Sequence, residues 1–534
     1  MRESSILPRT ASEQIKVGRS GKDWLVLGII LFVYLLVSIL LFDPRLHTGG
    51  DNARYICLAR SVLAGKGYSD IFRPGEPPHA QYPFGYPLLL TAVMALFSNS
   101  VIALKLLSLL LGAGCVLLLF LLLRDLCSRV LLFSVVLLFA VAPLLLEYSH
   151  WILSDVSFTF FSLLSLFLFK QADLNKKKFP PLFWASIICM LFAYYIRTVG
   201  AALLLGVLFY FGFRKRLKRL FVSLAIIVVA VLPWSIRTAR ISQGGGYLTQ
   251  LTLRNPYDIG SGRIGMKDGL VRLKSNSVSY FLVNIPKTLF SVHQKFWPVA
   301  RRGLGIYVFG FLVSGVMLLG FARELGRGNR LSHYYVTFYM GTILIWPQVW
   351  ATDRFFLPVA PFALFYFFSG LLLLTRKLEP LLRKRVSLFV AGLILLSSLG
   401  TIAGTVPHAM RIMRAYASGD RFAGYPAEWT RYYETATYAS KFTPRDGVFM
   451  ARKPALFYLF ANRKCLVYPF TFDKQRIVET IKENRVSYVI VDGFTWTQTT
   501  RRYLVPVIVA NERDFEIIYT TQPPTTYMLR YIGG

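Results

Sequence analysis

Two acids and a small set of arginines carry the chemistry this sequence offers. Asp51 stands in HTGGDNARYICLARSVLAGKGY (47–68), directly after a long apolar run, and Asp155 in YSHWILSDVSFTF, at the start of another. Arg197 interrupts the apolar LFAYYIRTVGAALLL, and Arg354 follows Asp353 at the opening of ATDRFFLPVAPF. Ionisable groups at the edge of an apolar run are costly unless solvated, paired or functional. Arginine stays charged at any relevant pH and grips phosphate through two parallel N–H bonds. A carboxylate, several arginines and an apolar groove together fit a lipid-linked phosphate as substrate. The phosphate leaves readily once arginine neutralises it, and what remains is to deprotonate or position an acceptor hydroxyl. Asp51 takes that role here, with Asp155 as a second polar anchor. Arg197, Arg354 and Arg54 are the phosphate candidates. The plainer reading makes each a solvated loop charge or an ion-pair partner. For Arg301 and Arg302, which flank an apolar run, that reading is snorkelling to the interface.

The elements that must position these residues are membrane helices. The chain has 534 residues, 54% hydrophobic and only 16% charged, against about 25% charged in soluble proteins. Apolar runs at 24–42, 101–123, 130–147, 153–170, 180–195, 198–213, 219–235, 304–322, 333–350, 355–375 and 386–405 predict about eleven transmembrane helices, since a crossing takes about 20 residues. The first run has no small-residue cleavage site after it and reads as a retained span. FGYPLLLTAVMALF (84–97) is apolar but too short to cross, and reads as an interfacial helix. The net charge of +34 (61 basic, 27 acidic residues) speaks for topogenic loops and anionic lipid rather than nucleic acid. The five cysteines, among them Cys57, Cys115 and Cys465, have no metal or redox spacing.

Basic connections alternate with less basic ones. RDLCSR, KQADLNKKK, RKRLKR, RELGRGNR and RKLEPLLRKR share one side with the tail 1–23, and the positive-inside rule makes that side cytoplasmic. The outer side then holds loops 43–100 and 236–303 and a C-terminal region, 406–534, beyond the membrane domain 24–405. The outer loop 236–303 is itself basic, which asks for a reason such as phosphate at the membrane surface. In 406–534 the β-rich runs 447–451, 465–469, 486–492, 515–521 and 526–532 alternate with helical patterns such as KQRIVETIKENR (474–485), the mark of a small α/β domain. It lacks a Gly-rich phosphate fingerprint and reads as a packing or acceptor-recognition module.

The pattern resembles the GT-C class of integral membrane glycosyltransferases, nearest to the protein O-mannosyltransferase and aminoarabinose transferase branch. The resemblance rests on GGDNARYICLARSVLAGKGY as the post-span acidic motif and on PPHAQYPFGYPLLL (77–90) as the aromatic lead-in to an interfacial helix. ILSDVSF (152–158) is similar to the second-loop acid, and DRFFLPVAPF (353–362) to an Arg-aromatic-Leu-Pro segment. It implies an inverting sugar transfer from a polyprenyl-phosphate donor to a lipid, glycan or protein acceptor, on the outer (periplasmic) face of a bacterial inner membrane. Tyr55, Tyr82 and Tyr86 are candidates to line the sugar pocket, the plainer reading being aromatic belt residues at the membrane interface. Two departures stand out. Asn52 replaces the usual second acid, so that Asp51 and the Asn52 carbonyl are the donors left for any divalent metal. The lysine expected before the prolines is missing, which leaves His79 or Gln81, or else Arg197 and Arg354, to meet the phosphate. The competing readings are a flippase or transporter, which calls for midplane charges and broken helices, and a non-catalytic scaffold in which Asp51 and Arg197 have no role.

Overall fold

A computed structural model describes residues 21–175, 177–242, 247–255, 258–291 and 303–533. The tail up to residue 20, and Arg301 and Arg302 with their proposed snorkelling, lie outside the described residues. The chain opens with α1 (Gly21–Leu40), then α2 (Gly50–Leu63) and α3 (Gly85–Phe97). There follow α4 (Val101–Leu123), α5 (Arg129–Ala140), α6 (Pro143–Ser149), α7 (Ser154–Leu174), α8 (Pro181–Ile196), α9 (Ala201–Phe213) and α10 (Leu217–Ile241). After α11 (Tyr247–Thr252) come a two-stranded ribbon of β1 (Leu253–Asn255) and β2 (Asp258–Arg263), α12 (Met266–Ser279) and α13 (Ile285–Leu289). The remaining membrane helices are α14 (Leu304–Arg327), α15 (Leu331–Leu344), α16 (Ala360–Leu374) and α17 (Pro380–Ala417).

Every expected span coincides with a helix. Five described helices, α1, α4, α10, α14 and α17, are long and apolar enough to cross a membrane, and a sixth counts if α5 and α6, bent by 44°, form one span. Proline and arginine mark two of the breaks between helices. Pro143 opens α6, and the chain is extended at Arg197 between α8 and the turn leading into α9, so that no α-hydrogen-bonded run continues through these points. The expected end at 405 is also moved: α17 runs to Ala417 through Pro407. The 84–97 run forms α3, only 13 residues long.

Leu25, Ile29, Phe32 and Ile39 of α1, and Phe311 and Leu312 of α14, are exposed, the surface expected of helices solvated by lipid. Between the helices, small residues permit close approach. A Cβ on Gly320 would overlap the Tyr366 carbonyl, and one on Gly370 the Val316 carbonyl, so α14 and α16 touch backbone to backbone. Ion pairs gather at the ends of the helices. Asp23–Arg129, Asp125–Lys170, Asp173 with Arg216 and Arg219, and Glu324 with Arg327 and Arg330 share one end by chain direction. Asp51, Asp155, Arg197 and Arg354 lie at the other.

The C-terminal domain packs on that second end. It holds α18 (Ala427–Phe442), β3 (Val448–Met450), α19 (Pro454–Ala461), β4 (Cys465–Leu466), α20 (Lys474–Glu483), β5 (Val486–Val491), α21 (Val505–Ala510), β6 (Phe515–Thr520) and β7 (Tyr527–Tyr531). The sheet order is β4-β3-β5-β7-β6, with β3 parallel to β4 and β5, and β7 antiparallel to β5 and β6. Each of the five β-rich runs supplies one strand. α20 shows its helical pattern in Ile477 and Ile481, both fully buried. The domain is tied to the α2–α3 loop and to the segment after α1 by hydrogen bonds to backbone carbonyls. Cys465 N donates to Phe72 O (2.7 Å), Lys464 Nζ to Ile71 O (2.6 Å) and Arg45 Nη1 to Ala423 O (3.2 Å).

Candidate active site

α2 begins with the glycine pair that precedes Asp51. A Cβ on Gly49 would sit 2.9 Å from His47 Nδ1, a close approach that leaves the Gly49 N–H donating to that nitrogen (2.9 Å). Asp51 follows in the first helical turn, where the helix dipole favours a carboxylate. Asn52 is 1% exposed. Its Oδ1 accepts from Ile152 N (3.0 Å) and its Nδ2 donates to Gly49 O (3.2 Å). Asn52 thereby clamps the segment leading into α7 onto α2, and its carbonyl oxygen, the donor the sequence offered for any metal, is turned to the Ile152 N–H.

A chain of alternating charge runs from Asp51 into the protein. Asp51 Oδ1 accepts from Tyr82 OH (2.8 Å), and Oδ2 pairs with Arg354 Nη1 (3.0 Å). Arg354 Nε donates to Asp155 Oδ2 (2.8 Å), and Asp155 Oδ1 pairs with Arg197. The two carboxylates differ in access. The Asp51 side chain is 38% exposed and that of Asp155 1%. Burial alone would raise the Asp51 pKa, but the Arg354 charge, hydrogen bonds from Tyr82 and Arg354, and the nearby Arg54 charge hold it below the usual carboxylate range. Asp51 is therefore ionised at neutral pH.

These groups face a cavity of about 530 Å³ at the junction of α2, the α2–α3 loop, the turns beside Arg197 and Arg354, and the C-terminal domain. Asp51, Arg54, Tyr55, Tyr82, Arg197 and Arg354 line it. Arg54 Nη1 donates to Gln81 Oε1 (2.7 Å), and Tyr55 OH meets Ser154 Oγ (3.1 Å). Three sequence-selected residues are placed elsewhere. Asp155 lies behind the arginines with both oxygens engaged, and it does not line the cavity. His79, 3% exposed, spends both ring nitrogens: Nδ1 on Asp70 Oδ1 (2.8 Å), and Nε2 accepting from Tyr82 N (2.8 Å). Burial keeps the ring neutral despite Asp70. Its work is to fix Tyr82, and no nitrogen remains for phosphate. Tyr86 is fully buried behind Tyr55, edge to face at 4.8 Å, and cannot line a sugar pocket.

Two lining residues were not foreseen. Arg452 and Lys453, from the turn between β3 and α19, close the cavity above α2. Their sequence, ARKPALF, carries no signal beyond two adjacent charges. A Cβ on Gly50 would lie 3.7 Å from Lys453 Nζ. Burial, then the Arg452 charge, lowers the Lys453 pKa to about 8, with Asp51 opposing and Arg54 adding to the fall.

The described residues contain no group of three or more His, Cys, Asp or Glu side chains that could hold a metal. Asp51 is the one carboxylate among the described residues lining the cavity, and its oxygens already meet Tyr82 and Arg354, a donor set too small for protein groups alone to hold a divalent ion.

No family model matches the chain, and no curated protein matches it. Solved structures do. The archaeal oligosaccharyltransferase AglB from Archaeoglobus fulgidus, in complex with an inhibitory peptide and a dolichol-phosphate, is 15% identical with a TM-score of 0.55, over 95% of this chain and 74% of that one. ArnT from Cupriavidus metallidurans bound to undecaprenyl phosphate is 14% identical with a TM-score of 0.55, over 96% and 98%. The mycobacterial arabinofuranosyltransferase AftD is 12% identical with a TM-score of 0.50, over 96% of this chain and 40% of that one. These neighbours are GT-C membrane glycosyltransferases, and the chain has their fold: a polytopic helical membrane protein with an α/β domain at its C-terminus.

Proposed function

We propose that this protein is a membrane glycosyltransferase that moves a sugar from a polyprenyl-phosphate donor to an acceptor hydroxyl, with inversion at the sugar carbon. The observation that carries the reading is Asp51, an ionised and partly exposed carboxylate, held by Tyr82 and Arg354 on the wall of an arginine-rich cavity. A carboxylate has about four acceptor sites, so Asp51 can take an acceptor O–H while keeping both contacts. Its lowered pKa makes it a weak base in the ground state. It serves by receiving the proton late, as the new glycosidic bond makes the hydroxyl acidic. Arg354 and Arg197 hold the acids in place and add positive potential, and Arg54 reaches the cavity without a carboxylate partner of its own among the described residues. Tyr55 and Tyr82 offer ring surface to a sugar.

Two neighbours of this fold were solved with a dolichol-phosphate or undecaprenyl phosphate bound, which supports a lipid-linked donor. The basic connections support placing the cavity and the C-terminal domain on the outer face of a bacterial inner membrane. Lipid, glycan and protein acceptors are all compatible with the open cavity. The transporter reading is less well supported, because the described ion pairs gather at helix ends and leave no charged path between them.

The test is to reconstitute the protein in vesicles with radiolabelled polyprenyl-phosphate sugars and an envelope extract. Label appearing in a new molecule supports the transferase. Donor crossing the bilayer with no label transferred would replace it with the flippase.

A further inference from the structure

Resting on that reading, we propose that Lys453, flanked by Arg452, is a ligand for the donor phosphate, so that the C-terminal domain supplies part of the leaving-group site. Charge balance carries the argument. Asp51, Arg354, Asp155 and Arg197 form a closed series of two carboxylates and two guanidiniums. The arginines in that series already have anionic partners, and phosphate could claim them only by releasing one. The cavity wall holds three more cations, Arg54, Arg452 and Lys453, and none forms an ion pair among the described residues. Arg452 Nε donates to Thr499 Oγ1 (2.7 Å) and lies over the Phe470 and Trp496 rings, and Lys453 Nζ lies 4.7 Å from the Trp496 centroid. A desolvated ammonium without an anion is held at a cost that an anionic ligand relieves. A lipid phosphate released by transfer carries close to two negative charges at neutral pH, as phosphate monoesters do.

The geometry fits that use. Lys453 Nζ sits above Gly50, one residue from Asp51, and its backbone is gripped on both sides by Tyr432: the hydroxyl donates to Lys453 O (3.1 Å) and accepts from Lys453 N (3.3 Å). The bonds from Lys464 and Cys465 to the 71–72 backbone hold the domain against the α2–α3 loop. The ammonium is thus presented by a fixed turn.

The full-length protein in nanodiscs is titrated with undecaprenyl phosphate, and inorganic phosphate serves as the headgroup-only competitor. Lys453→Gln is expected to raise Kd roughly tenfold, the scale of one lost charged hydrogen bond, while Lys453→Arg restores binding. Competition by inorganic phosphate is expected to weaken in Lys453→Gln as well. A Lys453→Gln protein of unchanged melting temperature that binds the lipid and inorganic phosphate like wild type overturns the assignment, even where transfer by wild type proceeds. If Lys453→Gln melts early, Lys453→Met, which keeps the apolar stem without the charge, carries the comparison, and a folded Lys453→Met with wild-type affinity for both ligands overturns it. A wild type that binds no lipid phosphate would overturn the donor reading and this proposal together.

Discussion

At the scale of residues, the two acids have separate jobs. Asp51 faces the cavity, and Asp155 is buried between two arginines. Removing one partner of a buried ion pair leaves an uncompensated charge, so Asp155→Asn is expected to destabilise the fold by about 3–5 kcal/mol, seen as a lower melting temperature with little folded protein. Lys453 adds a pH dependence. Its amine, lowered to about 8, is cationic below that pH and neutral above it. Phosphate is already dianionic there, with a second pKa near 6, so lipid-phosphate affinity is expected to fall as pH rises through 8. The groups facing Lys453 are Asp51 and Arg54 of α2, Arg452 beside it and Tyr432 of α18. Of these, Asp51 stays ionised across the window. Lys453→Arg should flatten the profile, and a titration that is flat in wild type would count against the role. Asp51, Arg54, Arg197 and Arg354 could be picked from the sequence because a charge beside an apolar run is conspicuous. The roles of Asp155, His79 and Tyr86 could not, because each is decided by which partners burial supplies. Arg452 and Lys453 were invisible, since only the tertiary fold brings their turn to Asp51.

At the scale of elements, the site depends on close packing around the α2–α3 loop. A Cβ on Gly85 would fall 2.7 Å from the Tyr195 carbonyl carbon and oxygen and 2.8 Å from Ile196 N, so α3 starts against the backbone that leads into Arg197. Gly85→Ala must push the two apart, misplacing Tyr82 and Arg197 together. A displacement of that order costs about 10²-fold in rate, and a Gly85→Ala protein with wild-type turnover would show that this contact does not set the geometry. The helices themselves were legible from apolar runs, and the strands of the C-terminal domain from β-branched and aromatic clusters. Helix ends were less so. α17 runs past its apolar stretch to Ala417 because backbone hydrogen bonds continue where hydrophobicity stops. The α5–α6 break was hidden inside a continuous apolar run that only Pro143 interrupts.

For the whole molecule, the account sets the cavity and C-terminal domain on the side of the membrane opposite the basic connections. Cysteines at the exposed positions Asp446 and Lys377 should respond differently to a membrane-impermeant maleimide on intact spheroplasts. Asp446→Cys is expected to react and Lys377→Cys to react only after lysis; the reverse pattern would invert the orientation. Lysine and arginine placement in the sequence yields a definite expectation of sidedness, which the labelling tests, whereas the docking of the C-terminal domain as a wall of the cavity had no sequence signal. Its sheet has no phosphate-binding motif, and its contribution comes from one turn pressed onto α2.

The most direct measurement is single-turnover transfer from a polyprenyl-phosphate sugar by wild type and by Asp51→Asn, with donor affinity measured on the same samples. The account predicts a loss of about 10²–10⁴-fold in the transfer rate, with donor binding retained through the arginines and Lys453. Equal rates for the two proteins would contradict it, because Asp51 would then have no part in moving the acceptor proton.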